Sequence, residues 1–118
     1  MDMATPDETT SLFVYGSLIE ETHRAEVIGR RVEAIAATLH DYERGRARHY
    51  FVRPRAGSST PGLVLLNLDA RDFATLDRYE EIPVLYTREK VVVVTADGDR
   101  ARCWIYRPTP ATLGAGRA

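Results

Sequence analysis

The chain has 118 residues, of which 44% are hydrophobic and 28% charged, and its formal net charge is −1. This length suits one domain with one core, and the balanced charge gives no general argument for nucleic-acid binding. The single cysteine excludes an intramolecular disulfide, and no Cys/His cluster has the spacing of a zinc site. The sequence has no signal-peptide core and no apolar run near the ~18 residues of a membrane span, so we expect a cytoplasmic protein.

Composition divides the chain into three parts. Residues 1–10 are rich in Asp, Glu, Thr and Pro and predict a flexible leader. Residues 108–118 contain prolines and small residues and predict a tail. A single domain is therefore expected at residues 11–107.

The first half of this domain predicts strands around one helix. Leu12–Tyr15 is an apolar and aromatic run that stops at Gly16, which is typical of a strand. Glu20–Ile28 contains helix formers and ends at Gly29. Arg31–Tyr42 predicts a long strand, although its alanines leave a helix possible.

The middle of the chain predicts two strands separated by a loop. Tyr50–Val52 ends near Pro54 and reads as the end of a strand. The composition of Arg55–Pro61 is that of a loop. Gly62–Leu68 is a continuous apolar run and predicts a buried strand.

The second half predicts a helix and a β-hairpin. Asp69 is a candidate N-cap for a helix over Ala70–Glu81. Lys90–Thr95 and Ala101–Tyr106 are rich in β-formers, and the Asp97-Gly98 pair between them favours a tight turn. Five or six strands with two helices and short connections indicate an α+β fold, in which a strongly bent or closed sheet with flanking helices fits better than a doubly wound sheet.

One carboxylate lies on the apolar face of the predicted helix. Phe73 and Leu76 are its core-facing anchors, and Glu80 follows them by seven and four residues, which returns it to the same face. Glu81 is turned away by about 100° and is expected in solvent. Burial raises the pKa of a carboxyl group and makes Glu80 a candidate general base near neutral pH. The alternative is that the Glu80 carboxylate lies at the rim of the core, where it is solvated or forms an ion pair with one of three nearby cations: Arg78, Arg88 or Lys90.

The segment after the first strand is a candidate anion-binding loop. Gly16 permits a tight turn and close approach of a ligand, and successive free N–H groups from Gly16 to Leu18 can hold a carboxylate or an oxyanion. Ser17 is interpreted as a loop hydrogen-bonder, because no nucleophile elbow or triad pattern surrounds it. An ordinary strand-to-helix turn is the alternative.

Two motifs together resemble the gamma-glutamylcyclotransferase-like superfamily. The first is Leu12-Phe13-Val14-Tyr15-Gly16-Ser17-Leu18, and the second is the stretch from Leu76 to Arg88, LDRYEEIPVLYTR. The second motif is most similar to the branch that acts on γ-glutamylamines. Leu18 stands where the branch acting on γ-glutamyl amino acids usually has asparagine.

The resemblance implies a mixed barrel and release of 5-oxoproline from a γ-glutamyl small molecule, with Glu80 as the acid/base. It implies no metal or cofactor. Tyr15 and Tyr86 are candidates to line the substrate pocket, together with the loop residues Gly16, Ser17 and Leu18. A non-catalytic binding barrel of the same fold is the alternative function.

An arginine strip supplies a third hypothesis. Arg44, Arg46 and Arg48 alternate along one strand face, and Arg53 and Arg55 follow. With Tyr50 and Phe51 between them, this pattern is compatible with RNA binding. A solvated strand face is favoured because of the overall charge, and the strip is also suited to recruiting an acidic substrate.

Overall fold

A computed structural model describes residues 6–46, 50–80 and 86–109. Within them, five strands close a barrel, and two α-helices and a short 3-10 helix flank it, so the predicted α+β mixed barrel is confirmed. None of the helices in these residues is long and apolar enough to cross a membrane. The elements in chain order are β1 (Leu12–Val14), the 3-10 helix (Ser17–Ile19), α1 (Glu21–Ile28), β2 (Ala34–Arg46), β3 (Tyr50–Leu65), α2 (Ala70–Tyr79), β4 (Tyr86–Thr95) and β5 (Arg100–Pro108).

The barrel is closed by pairing between distant parts of the chain. The strand order is β1-β3-β2-β4-β5, and β1 returns to pair with β5. Leu12 pairs with Trp104 and Phe13 with Ile105 in the parallel direction, whereas the other strand pairs are antiparallel. Closure removes free sheet edges, which would otherwise expose unpaired backbone groups.

The prediction of a loop at Arg55–Pro61 is wrong, because this segment is part of β3. Its last three residues pair with β2, for example Ser59 with His40 and Thr60 with Leu39, and the register then shifts between His40 and Tyr42 before Pro54 pairs with Tyr42. Thr60 is fully buried and its hydroxyl donates to the Tyr42 carbonyl oxygen at 3.1 Å. Small and polar residues at Ser59–Pro61 belong to a strand because the long partner strand β2 pairs with them.

The predicted hairpin at Asp97-Gly98 is confirmed. The backbone N–H of Thr95 donates to the Asp99 carbonyl oxygen at 2.8 Å, which closes the β4–β5 connection. Gly98 has φ of +92°, a conformation that glycine adopts at no steric cost.

Two apolar layers hold the fold. The first fills the barrel interior and includes Phe13, Leu39 and Cys103. Burial raises the pKa of the Cys103 thiol to about 12, in agreement with its interpretation as a small buried hydrophobe. The second layer lies between the helices and the barrel and includes Phe73 and Leu76 of α2, the two anchors predicted from helical periodicity.

Helix α2 begins at a capping box and ends just before Glu80. The Asp69 carboxylate accepts from the Asp72 N–H at 2.8 Å, and the Asp72 carboxylate accepts from the Asp69 N–H at 3.0 Å. Tyr79 is the last helical residue and Glu80 is the C-cap, still in the right-handed helical region. The helix is thus shorter than the predicted Ala70–Glu81, and Glu81 lies outside the described residues. Helix α1 ends at Gly29 as predicted.

Replacing Asp72 by asparagine is expected to destabilise the fold by about 1–2 kcal/mol at pH 7. Burial works against ionisation of Asp72, but bonds from the Arg30 guanidinium and the Asp69 N–H hold its pKa below the usual value of 3.8. This contribution is present above pH 3.8 and is lost as the pH falls through the folded-state pKa. Urea unfolding of both proteins between pH 2.5 and 7 measures it, and a difference that stays constant with pH contradicts the assignment.

Specific contacts extend into both predicted terminal segments. The Thr10 carbonyl oxygen accepts from the Leu68 N–H at 2.9 Å, and Glu8 pairs with Lys90 at 2.9 Å. Strand β5 runs to Pro108. Residues 1–5 and 110–118 lie outside the described residues.

Candidate active site

A pocket of about 390 Å³, including its open mouth, lies where β1 ends and α2 terminates. It receives side chains from β1, the following loop, the start of β3, the end of α2, β4 and β5. The six site residues predicted from sequence all line it. Its lining residues are Phe13, Val14, Tyr15, Gly16, Ser17, Leu18, Tyr50, Glu80, Tyr86 and Tyr106.

Glu80 enters this pocket from the end of α2. It is partly buried, and burial raises its pKa to about 7. Within the described residues its carboxylate has no hydrogen-bond or ion-pair partner. The cations considered as partners have other neighbours: Arg78 donates to Thr75, Arg88 pairs with Asp77, and Lys90 pairs with Glu8. Glu80 is therefore a desolvated carboxyl group without a nearby counter-charge in this part of the chain.

The loop after β1 forms the opposite wall. The N–H groups of Gly16, Ser17 and Leu18 have no hydrogen-bond partner in the residues that the structure describes, and Ile19 N–H closes the turn on the Gly16 carbonyl oxygen at 3.1 Å. A Cβ atom on residue 16 would lie 3.1 Å from the Tyr50 side chain, so glycine allows the loop to pack against that ring. Leu18 is buried and anchors the loop in the helix-facing apolar layer. As far as residues 6–46, 50–80 and 86–109 show, the loop has N–H groups available to bind a ligand.

Two tyrosines link neighbouring parts of the pocket wall by hydrogen bonds. The Tyr15 hydroxyl donates to the Tyr106 carbonyl oxygen at 2.6 Å, and the Tyr86 hydroxyl donates to the Tyr50 carbonyl oxygen at 2.8 Å. Burial raises the pKa of Tyr15 well above its usual value and that of Tyr86 to about 12, and the nearby Glu80 adds to both shifts. Both phenols therefore stay protonated at neutral pH and keep their donor bonds.

Tyr79 connects the end of α2 to the opposite loop. Its hydroxyl lies 3.1 Å from Ser17 Oγ and 2.9 Å from His23 Nε2. Ser17 thus reaches a tyrosine and not a histidine base, in agreement with its predicted role as a loop hydrogen-bonder. Sequence analysis assigned no function to Tyr79 or His23, because a contact between residues 56 positions apart leaves no local pattern.

Tyr50 and Tyr106 are further pocket residues that sequence analysis missed. The Tyr106 hydroxyl donates to Asp77 Oδ1 at 2.6 Å, so this residue also ties β5 to α2. Tyr50 was recognised only as an aromatic within the arginine strip. Its position in the pocket follows from the long β2–β3 hairpin, which returns its ring to the loop at Gly16.

No group of three or more His, Cys, Asp or Glu residues suited to a metal ion occurs within residues 6–46, 50–80 and 86–109. The chemistry that the described pocket offers is proton transfer by one carboxyl group and binding of an anion or oxyanion by backbone N–H groups.

These features define a small mixed-barrel protein whose pocket contains a desolvated carboxyl group, a glycine loop and a helix end. The chain belongs to the family described as gamma-glutamyl cyclotransferase, AIG2-like, whose model matches residues 12–116. The resemblance noted from the two sequence motifs is thereby confirmed.

A relative from Methanocaldococcus jannaschii is named as a gamma-glutamylcyclotransferase and putative RNase. It is 30% identical over 99 residues, which is 81% of this chain but only 45% of the relative, so the chain spans about half the length of that protein.

Two solved structures support the fold. An Arabidopsis thaliana protein superposes with a TM-score of 0.76 at 23% identity, covering 92% of this chain and 72% of the other. An AIG2-like protein from Mus musculus gives a TM-score of 0.66 at 21% identity, covering 88% and 82%. At these identities the likeness concerns the barrel architecture.

Proposed function

We propose that the protein releases 5-oxoproline from a γ-glutamyl amine or related γ-glutamyl compound, with Glu80 as general acid/base. The observation that carries this proposal is that one pocket is lined both by Glu80, whose carboxyl group is desolvated, and by the loop of residues 16–18. Membership of the cyclotransferase family supports the same reaction class.

In this mechanism the Glu80 carboxylate removes a proton from the substrate's α-ammonium group. The freed amine attacks the γ-carbonyl carbon, and a C–N bond forms as the five-membered ring closes. The bond from the γ-carbon to the leaving nitrogen then breaks, and Glu80 returns its proton to that nitrogen. The ring nitrogen then gives up its second proton through the Glu80 carboxylate to the released amine. The products are 5-oxoproline and the amine in its ammonium form, so both protons of the α-ammonium group and its charge are accounted for without a covalent enzyme intermediate.

The raised pKa of Glu80 makes the first proton transfer less unfavourable. An α-ammonium group has a pKa of roughly 8, whereas an ordinary glutamate lies near 4.5. With the pKa of Glu80 at about 7, the difference between the pKa values of donor and acceptor falls from more than three to about one. This change lowers the free energy of the proton transfer by roughly 3 kcal/mol.

The pocket residues have distinct supporting roles in this proposal. The N–H groups of Gly16, Ser17 and Leu18 bind the substrate carboxylate or the oxyanion that develops on the γ-carbonyl. Tyr15 donates its proton to a backbone carbonyl and can accept from an ammonium group with its hydroxyl oxygen, while the bond from the Tyr86 hydroxyl to the Tyr50 carbonyl holds the second ring in the pocket wall. Because the attack is intramolecular, holding the glutamyl chain folded supplies several kcal/mol of the acceleration.

The test is direct detection of 5-oxoproline. Wild type and Glu80→Gln are incubated with a panel of γ-glutamyl amines and γ-glutamyl amino acids, and the product is quantified by mass spectrometry. We expect release by wild type and loss in Glu80→Gln. Glu26→Gln, which changes an exposed carboxylate on α1, is the matched control and retains activity. Release that survives in Glu80→Gln contradicts the assigned base, and no release from any substrate favours a non-catalytic binding barrel.

Replacing Tyr79 by phenylalanine is expected to raise KM about fivefold and to change kcat less than twofold. The hydroxyl holds Ser17 and His23, and one lost hydrogen bond of about 1 kcal/mol corresponds to this factor. Steady-state kinetics separate the two constants. A fall in kcat comparable to that of Glu80→Gln would instead give the Tyr79 hydroxyl a direct part in the chemistry.

A further inference from the structure

Two arginines contact one aromatic ring of the pocket wall. The guanidinium carbons of Arg44 and Arg46 each lie 5.0 Å from the centre of the Tyr50 ring. Arg44 Nη1 also donates to the Tyr15 carbonyl oxygen at 2.9 Å. Tyr15 and Tyr50 both line the pocket. We call Arg44, Arg46 and Tyr50 the arginine rim.

The β2–β3 register explains why only part of the arginine strip forms this rim. Arg46 pairs with Tyr50 across the hairpin, and Arg44 shares its strand face by alternation. Arg53 and Arg55 lie across from Glu43 instead, and both form ion pairs with its carboxylate, at 2.7 and 2.8 Å.

Charge compensation therefore differs between the two halves of the strip. Glu43 neutralises part of the charge of Arg53 and Arg55. Within the described residues, Arg44 and Arg46 have no carboxylate partner. In the described parts of the chain, then, no carboxylate compensates the two cations beside the Tyr50 ring, which makes them candidates to bind an anionic ligand.

The rim is suited to a planar anionic group. A guanidinium that stacks on an aromatic ring uses its face, and its N–H edge remains available for a two-pronged contact with carboxylate or phosphate oxygens. Arg44 and Arg46 are exposed, so they can reach only a part of the substrate that projects from the pocket. If the glutamyl unit occupies the space between Glu80 and the glycine loop, the projecting part is the leaving amine.

We propose that the arginine rim is a specificity subsite that binds an anionic group, carboxylate or phosphate, carried by the amine that leaves the γ-glutamyl unit. This inference rests on the proposed cyclotransferase function. The arginine rim would select those γ-glutamyl compounds whose leaving amine also carries a carboxylate or phosphate group.

The experiment compares γ-glutamyl-alanine with γ-glutamyl-alaninamide, which differ only in a carboxylate against a neutral carboxamide. At low salt we expect kcat/KM to be about tenfold higher for the carboxylate substrate. One charge-assisted hydrogen bond strengthens binding by about tenfold or more. Raising the NaCl concentration to about 0.3 M reduces this preference, because the rim is exposed. A third substrate, γ-glutamyl-phosphoethanolamine, tells whether phosphate is preferred to carboxylate.

The variant that tests the rim is Arg46→Gln, which leaves the Arg44 bond to Tyr15 in place. It is expected to remove most of the tenfold preference for the carboxylate substrate. The matched control is Arg55→Gln, which removes the same charge from the same hairpin at a residue paired with Glu43. We expect the control to keep the preference.

Three outcomes overturn the inference in distinguishable ways. Equal kcat/KM for the acid and the amide in wild type removes the subsite while leaving the cyclotransferase function intact. An equal loss for both substrates in Arg46→Gln means that the rim contacts the glutamyl unit shared by both. Absence of 5-oxoproline from these substrates and from every neutral γ-glutamyl amine removes the proposed function, and the inference with it.

Discussion

Glu80→Gln is expected to lower kcat by about a thousandfold, the middle of the range for loss of a general acid/base. Glutamine keeps nearly the shape of the side chain but can neither take the α-ammonium proton nor return it to the leaving nitrogen. In wild type, kcat/KM is expected to fall as the pH drops below about 7, because the carboxylate is the active form. Initial rates between pH 5 and 9 measure both effects.

The same substitution is expected to stabilise the protein above pH 7. The folded-state pKa of Glu80 lies above its usual value of 4.5, so between these values the folded protein binds more protons than the unfolded chain. The free energy of unfolding of wild type therefore falls, relative to the variant, as the pH rises from 4.5 to about 7. Because Glu80 is only partly buried, we expect a difference of about 2 kcal/mol at pH 8 and none at pH 4.

Urea unfolding of both proteins at pH 4, 6 and 8 measures this difference. Glu26→Gln serves again as the control and should track wild type at each pH. If Glu80→Gln loses both turnover and stability at pH 8, the interpretation of Glu80 as a desolvated carboxyl group is wrong. Such a result would mean that the Glu80 carboxylate makes a bond that stabilises the fold. The combined outcome of lower activity and higher stability is specific to a desolvated functional carboxyl group.

Helical periodicity predicted Glu80 because its signal is local. Phe73, Leu76 and Glu80 are related by the geometry of one helix, and the Asp69 cap fixes where that helix begins. The hairpin turn at Asp97-Gly98 was predictable for the same reason, because the residues that determine it are neighbours in sequence.

Features that depend on distant strands were not predictable in this way. The segment Arg55–Pro61 has the composition of a loop, and the pairing of its last three residues with the distant strand β2 extends β3 through it. The pocket positions of Tyr50 and Tyr106 depend on the β2–β3 register and on barrel closure through β1 and β5. Barrel closure itself was expected from family resemblance, since the parallel contact of Phe13 with Ile105 has no local signature.

Gly62→Ala is expected to destabilise the fold by about 3 kcal/mol, at the upper end of overpacking effects. A Cβ atom at this position would lie 2.3 Å from the Val14 carbonyl oxygen and 2.7 Å from Cζ of the Phe13 ring. The first neighbour is backbone within the β1–β3 ladder, and the second belongs to a nearly fully buried side chain, so neither can move freely. The strand β1 must therefore shift away from β3.

This shift connects stability to the site, because β1 leads directly into Tyr15 and the loop at residues 16–18. We expect Gly62→Ala to raise KM as well, even at a temperature where the variant remains folded. The matched control is Gly57→Ala, where no atom lies within 4 Å but φ is +85°, so the cost is conformational and about 1–2 kcal/mol. Urea unfolding gives the stabilities, and 5-oxoproline release at subsaturating substrate gives the effect on binding. The prediction is wrong if Gly62→Ala lowers the free energy of unfolding no more than Gly57→Ala does and leaves KM unchanged. In that case the contact of β1 with residue 62 does not hold β1 in place, and Leu18 and Tyr50 position the loop instead.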